Sequence, residues 1–202
     1  MDFLNEHKDF LSHGTAHSTR AAGDAIEKIL CNNFQKILGN LCVEYQANFA
    51  RRAMADLAFK DKQNFNYSVD VTTHREDTKF NMPNITSPRR LAHFYEDDLN
   101  YFVILHVKYK LQGIHAVVSE VKFVPIEFLD WDCLTVGALG WGQIQIANSN
   151  YISIRPRFSR KKWMLELCDR MQEFYPNEIG KIRKTRIPYF ERLKQHWKQK
   201  HD

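Results

Sequence analysis

Apolar residues recur at three- and four-residue spacing over Ile26, Ile29, Leu30, Phe34, Ile37, Leu38 and Leu41, which predicts an amphipathic helix. Ser18 or Thr19 can cap its start, and Gly39-Asn40 can end it. Upstream, Leu4, Phe10 and Leu11 predict a short first helix, with a loop at His13-Gly14-Thr15. A second helix is expected around residues 43–53. The pattern then changes to strands. Residues 54–60 and 66–73 are short and rich in β-formers, and Asp61-Lys62-Gln63-Asn64 between them is turn material, so they predict a hairpin. A loop with Pro83 and Pro88 leads to a short helix near residues 89–97. Strands are expected at 101–111 and 115–124, meeting around Gln112-Gly113, and at 143–154 after a glycine-rich loop from Gly137 to Gly142. Residues 159–174 carry Trp163, Met164, Leu167, Met171 and Phe174 on one helical face. Pro176 is expected to break that helix. Residues 177–200 resume it, with an interruption at Pro188.

Helices, then a mostly antiparallel sheet, then helices predict an α+β or mixed α/β sandwich around one central sheet. The 202 residues suit one domain with a substantial core, closing on a basic helical C-terminal segment. No apolar run reaches the roughly 20 residues that span a bilayer, so no membrane partner is expected. The first residues lack a basic start followed by an apolar stretch, so no signal peptide is expected. Cys31, Cys42, Cys133 and Cys168 form no CxxC pair. They are expected to be reduced thiols of a cytoplasmic protein, filling space in or near the core.

Charge adds one asymmetry. The net charge is +5, yet residues 181–202 alone hold eight Lys and Arg against Glu191 and Asp202. A basic end of this kind suits either a polyanion partner or a solvated helix face.

Two acidic residues stand out in the hairpin. Asp56 lies among Ala55, Leu57 and Phe59, and Asp70 between Val69 and Val71. A carboxylate among apolar neighbours is costly, and two brought together repel. Magnesium between them would relieve both problems, because it prefers oxygen ligands and retains waters. A single acidic residue in a strand ordinarily faces solvent, and the Asp-(x13)-Asp spacing alone is a weak motif.

The order of short motifs is more specific. Gly14-Thr15, Ala21-Ala22-Gly23, Glu27-Lys28, Ala55-Asp56-Leu57, Phe59-Lys60-Asp61, Asp70-Val71-Thr72-Thr73, Pro83-Asn84-Ile85, Leu91-Ala92 and Gln143-Ile144-Gln145 follow one another along residues 14–146. In this order the chain resembles the type II restriction endonucleases of the HincII/EcoRV-like branch of the PD-(D/E)XK nucleases. The resemblance implies a restriction-endonuclease-like fold with a central mixed sheet flanked by helices. It implies a bacterial, magnesium-dependent homodimer that hydrolyses phosphodiester bonds in both strands of a short, palindromic duplex DNA site, as part of a restriction-modification system. It makes Asp56 and Asp70 the metal ligands, with the Val71 carbonyl third. Glu27 either reaches toward the site from its helix or plays a surface or capping role. The first helix, or the one at residues 19–39, would provide the dimer interface.

Thr72 departs from the family pattern, because a lysine usually stands there to orient the attacking water and stabilise developing charge. Three explanations stay open: a lysine enters from elsewhere, with Lys122 the first candidate and Lys79 the second; the metal works without one; or the chain is inactive. Glu120-Val121-Lys122 also offers a second register, Asp70…Glu120-x-Lys122, against an ordinary ion pair. Thr73, Lys79, Phe80, Asn81, Met82 and Asn84, followed by Trp141 and Gln143 in the glycine-rich loop, are candidates for DNA contact. Core packing is the alternative for Phe80 and Trp141. Arg89, Arg90, Arg155, Arg157, Arg160, Lys161 and Lys162 are candidates for phosphate contact. The rival readings are an inactive site-specific DNA binder, a repair or structure-specific nuclease, and a basic protein-interaction domain. The recognition sequence, cut position and end type are not encoded in any motif of the chain.

Overall fold

The computed structural model describes residues 1–6, 18–47 and 54–200. Its chain divides into two compact units, Met1–Phe158 and Ser159–Asp202.

The first unit is built on a five-stranded mixed sheet in the order β1 (Cys42–Ala47), β2 (Leu57–Asp61), β3 (Asn66–Arg75), β5 (Asn100–Gln112), β6 (His115–Pro125). All ladders are antiparallel except β3 with β5, which is parallel. The fold class is therefore as the sequence predicts. A smaller antiparallel sheet has the order β4 (Asn84–Thr86), β8 (Gln143–Ile146), β7 (Leu134–Gly137). The helices of this unit are α1 (Asp2–Glu6), α2 (Thr19–Leu38) and α3 (Pro88–Phe94).

Helix α2 starts where a cap is available. The Ser18 Oγ accepts from the Ala21 N–H at 3.2 Å, and Gly39 ends the helix with a φ of 56°. Its buried face, Ala22, Ile26, Leu30 and Phe34, joins one core with Leu57 and Phe59 of β2, Val69 and Val71 of β3, and Val103, Leu105 and Val107 of β5. Each such aliphatic side chain contributes roughly 1.5–3 kcal/mol on burial. Side chains alternate along a strand, so Asp70, Thr72 and His74 leave β3 on the face opposite α2. On β5, Phe102 through Val107 are buried without a break, as a central strand covered on both faces requires.

The hairpin turn between β2 and β3 is closed by its own polar residues. One Asp61 carboxylate oxygen accepts from the N–H groups of Gln63 (2.8 Å) and Phe65 (3.0 Å), and Asn64 takes the left-handed φ of 65°.

Gly23 sets how closely α2 approaches β3. A Cβ there would lie 2.5 Å from the Thr73 Oγ1.

Several local expectations are corrected. Residues 42–47 form an edge strand, not a helix: Cys42, Tyr45 and Ala47 face inward and pair with β2. The rest of that expected helix, 48–53, lies outside the described residues, as do Phe10, Leu11 and the Gly14-Thr15 motif. The strand expected at 143–154 stops at Ile146, and Ile154 makes only an isolated bridge to Leu129. In the second unit, α4 (Arg160–Lys181) runs through Pro176, because the loss of one N–H donor leaves the remaining helical hydrogen bonds in place. A π turn over Ile182–Arg186 joins α4 to α5 (Ile187–Lys198) with the backbone helical throughout, and Pro188 lies just past the turn, so the expected interruption is a local change of helix type. All four cysteines are free thiols. Cys31 and Cys133 are buried, whereas Cys168 is exposed and fills no core.

Gly23→Ala should destabilise the protein by about 1–3 kcal/mol, because the new methyl meets Thr73 across a tight packing contact. Denaturant unfolding checks this, and Gly23→Ala with Thr73→Ala should recover part of the loss.

Candidate functional site

The β2–β3 ladder ends with Leu57 paired to Val69, and Asp56 lies one residue outside β2, beyond the last pair. The Asp56 N–H donates to the Val69 carbonyl at 2.9 Å. The Val71 N–H donates to the Asp56 Oδ2 at 2.7 Å. In a strand the N–H and C=O of one residue point to the same edge, so the Val71 carbonyl points toward Asp56, beyond the end of the ladder. Two carboxylates and one carbonyl thus converge where β2 stops.

These groups line a cavity of about 530 Å³. Helix α2 supplies Arg20, Gly23, Asp24 and Glu27 to its wall, spaced at three to four residues on one helical face. Arg75 and Tyr109 close another side, and Thr72, Thr73, Phe80, Asn81, Pro83 and Asn84 also line it.

The electrostatics are those of an acidic cluster short of positive charge. Burial pushes the Glu27 carboxyl up to about 7, with Asp56 and Asp24 adding to the effect. Burial also raises Asp56, against the opposing Val71 N–H. Asp70 is raised well above the usual carboxylate range by burial, with Asp56 and Glu27 contributing and the Thr72 hydroxyl opposing. Cys31, whose Sγ lies 3.7 Å from the Asp56 carbonyl oxygen, is pushed up to about 12 by burial and by the same acids.

An oxygen-preferring divalent cation fits these groups. The available donors are all oxygen, and each carboxylate raises its neighbours' affinity for a positive charge. Among the described residues no three His, Cys, Asp or Glu side chains already stand as a metal-ligand group. A cation would therefore draw on Asp56, Asp70 and the Val71 carbonyl, completed by water.

Thr72 is buried, and its Oγ1 donates to the Asp70 Oδ2 at 3.2 Å. Neither substitute lysine lines this cavity. Lys122 is separated from Thr72 by β5, since Thr72 pairs with His106 and His106 with Lys122. It forms an ion pair with Glu120, whose other oxygen is 3.8 Å from Lys108. The register Asp70…Glu120-x-Lys122 is thereby corrected to an ordinary ion pair on β6. Lys79 is exposed, and its carbonyl accepts from the Asn150 Nδ2 at 3.2 Å. The cations that do border the cavity are Arg20 and Arg75, the latter held by Asp77 at 2.5 Å.

The segment after β3 is tied down by residues without a sequence signal. His74 is fully buried, with Nε2 2.8 Å from the Asn150 Oδ1 and Nδ1 2.6 Å from the Ser149 Oγ. Asn150 in turn donates to the carbonyls of Thr78 and Lys79. The Asn81 Nδ2 donates to the Thr73 carbonyl at 3.2 Å, and the Asn84 Oδ1 accepts from the Gln145 Nε2 at 2.6 Å. Phe80 and Met82 are exposed, so Phe80 is not a core residue. Trp141, also exposed, and Gln143 lie not here but at a second cavity of about 610 Å³.

No family model and no curated protein sequence matches this chain.

Two outcomes follow for the protein without cation. Glu27 binds its proton more tightly folded than unfolded, so its stabilising contribution is complete below pH 4.5 and lost as pH rises to about 7. The stability difference between wild type and Glu27→Gln should fall through that window, measured by thermal unfolding in EDTA. His106, whose affinity for a proton burial lowers to about 4, acts in the opposite sense and cancels in this difference. Asp70→Asn should raise stability in EDTA by about 1–3 kcal/mol, by removing a desolvated charge, and should abolish any gain on adding magnesium.

Proposed function

We propose that the chain is a magnesium-dependent endonuclease that cuts duplex DNA at a specific short site, as a homodimer with one active site per strand. The observation that supports this best is that Asp56 and Asp70 line one cavity, whose wall continues into Phe80, Asn81 and Asn84.

A magnesium ion bound there would supply an activated water and neutralise charge developing on the phosphate. Asp56, Asp70 and the Val71 carbonyl would hold it. The Thr72 hydroxyl keeps the Asp70 carboxylate oriented. Glu27, with its carboxyl near neutrality, is suited to take the proton from the attacking water at physiological pH. Thr72 carries no charge, and Arg20 and Arg75 bring positive charge to the cavity's border instead. Asn81 and Asn84 line the cavity with amides, the side-chain type that reads adenine edges. The eight Lys and Arg of residues 181–202 suit phosphate contact and a steep salt dependence of binding.

A second reading, site-specific binding without cutting, is favoured by Thr72 alone. The two separate in one experiment, in which wild type, Asp70→Asn and Thr72→Lys are incubated with phage DNA and magnesium. The nuclease reading expects discrete fragments from wild type. It expects none from Asp70→Asn, which should still shift the DNA on a binding gel. Cutting by Asp70→Asn overturns the metal-site assignment. Cutting by Thr72→Lys alone establishes the inactive form. Arg20→Ala should slow wild-type cutting about 10- to 100-fold, consistent with loss of one charge stabilising the phosphate.

A further inference from the structure

The second cavity takes part of its wall from β4. Its lining includes Ile85, Thr86, Arg90, Trp141 and Gln143. At about 610 Å³ it falls within the range of small-molecule sites, about 300–1,000 Å³. Two features set it apart from a surface dent. Thr86 is only 4% exposed, yet its Oγ1 has no hydrogen-bond partner. A hydroxyl buried in this way is a cost to folding that valine would avoid. Trp141, by contrast, is 58% exposed. It sits on a tight loop in which the Gly142 N–H donates to the Leu139 carbonyl at 2.9 Å and Gly140 and Gly142 take φ of 56° and 97°. The Arg89 guanidinium lies 4.9 Å from the indole centroid.

An exposed indole, an amide and an unused hydroxyl around one cavity match a planar heteroaromatic ring with donors and acceptors on its edge. Bases stack on aromatic side chains whatever their identity, and amide and hydroxyl groups then read the edge. Arg89 and Arg90 add positive charge at the rim, as a phosphate-linked ring requires. Strand β4 connects this cavity to the carboxylates, because Asn84 lines one and Thr86, two residues on, lines the other.

We propose that this second cavity receives a nucleobase turned out of the DNA stack, held against Trp141 and read by Gln143 and Thr86. The proposal rests on the nuclease reading for its source of bases. It differs from groove reading by Gln143, because the base comes to the side chain instead of the side chain to the groove.

The test titrates the full chain with each of the four nucleoside 5′-monophosphates and follows tryptophan emission. Wild type should show saturable quenching that differs among the four bases. Trp141→Phe should lose most of it, leaving Trp131, Trp163 and Trp197 as an internal reference. Thr86→Val should weaken binding about 2- to 10-fold, the loss expected for one hydrogen bond, with an unchanged or raised melting temperature. A duplex with one unpaired base should displace the nucleotide. No saturable quenching, or wild-type binding by Thr86→Val, overturns the pocket. Failure of the duplex to compete leaves a mononucleotide site and overturns the turned-out base. Cleavage is not read in this assay, so nucleotide binding by a protein that never cuts DNA counts against the nuclease reading only.

Discussion

Asp56 and Asp70 line one cavity where the β2–β3 ladder runs out, and Asp56 is held there by its bonds to the Val69 carbonyl and the Val71 N–H. The Val71 N–H meets one carboxylate and the Thr72 hydroxyl the other. Glu27 adds a third acid from α2, which Gly23 allows to sit close against β3. Desolvation and mutual repulsion both act against charge here, and a cluster kept under that tension is the arrangement expected where a cation belongs. The smaller sheet and the segment after β3 both border this point.

Much of this arrangement is legible from the sequence by hairpin arithmetic. A turn centred near residue 63 brings 56 near 70, and apolar neighbours mark both. Not legible that way is the end of the ladder at Leu57, beyond which the Asp56 N–H turns to the Val69 carbonyl. The face of α2 is legible for the same reason, since its period repeats over five turns. What the sequence conceals are the long-range neighbours. Glu27, which only the resemblance offers, reaches the cavity because α2 packs on β3 near Gly23, and no local pattern records that packing. Lys122 looked suitable because it sits in a motif-like triplet, but β5 lies between its strand and Thr72. The strand at Cys42–Ala47 was hidden because its short alternation lies directly after a long helix, and its partner strand is distant in sequence.

Thr72 stands where the family that the sequence resembles carries a lysine. The position still serves Asp70 through its hydroxyl, and charge arrives at the border of the cavity on Arg20 and Arg75. His106, the neighbour of Thr72 across the sheet, is buried with no hydrogen-bond partner on either ring nitrogen. Burial accordingly keeps it neutral at physiological pH. It adds no charge to replace the lysine.

The most direct measurement is calorimetric titration of the protein with magnesium near pH 7, in two buffers of different ionisation enthalpy. If Glu27, Asp56 and Asp70 form a cation site, binding must release protons, because a carboxyl near neutrality gives up its proton when the cation arrives. The predicted result is saturable binding with a buffer-dependent heat corresponding to a fraction of a proton per ion, abolished in Asp70→Asn. Binding with no proton release, or heat unchanged in Asp70→Asn, would contradict a cation site at these carboxylates.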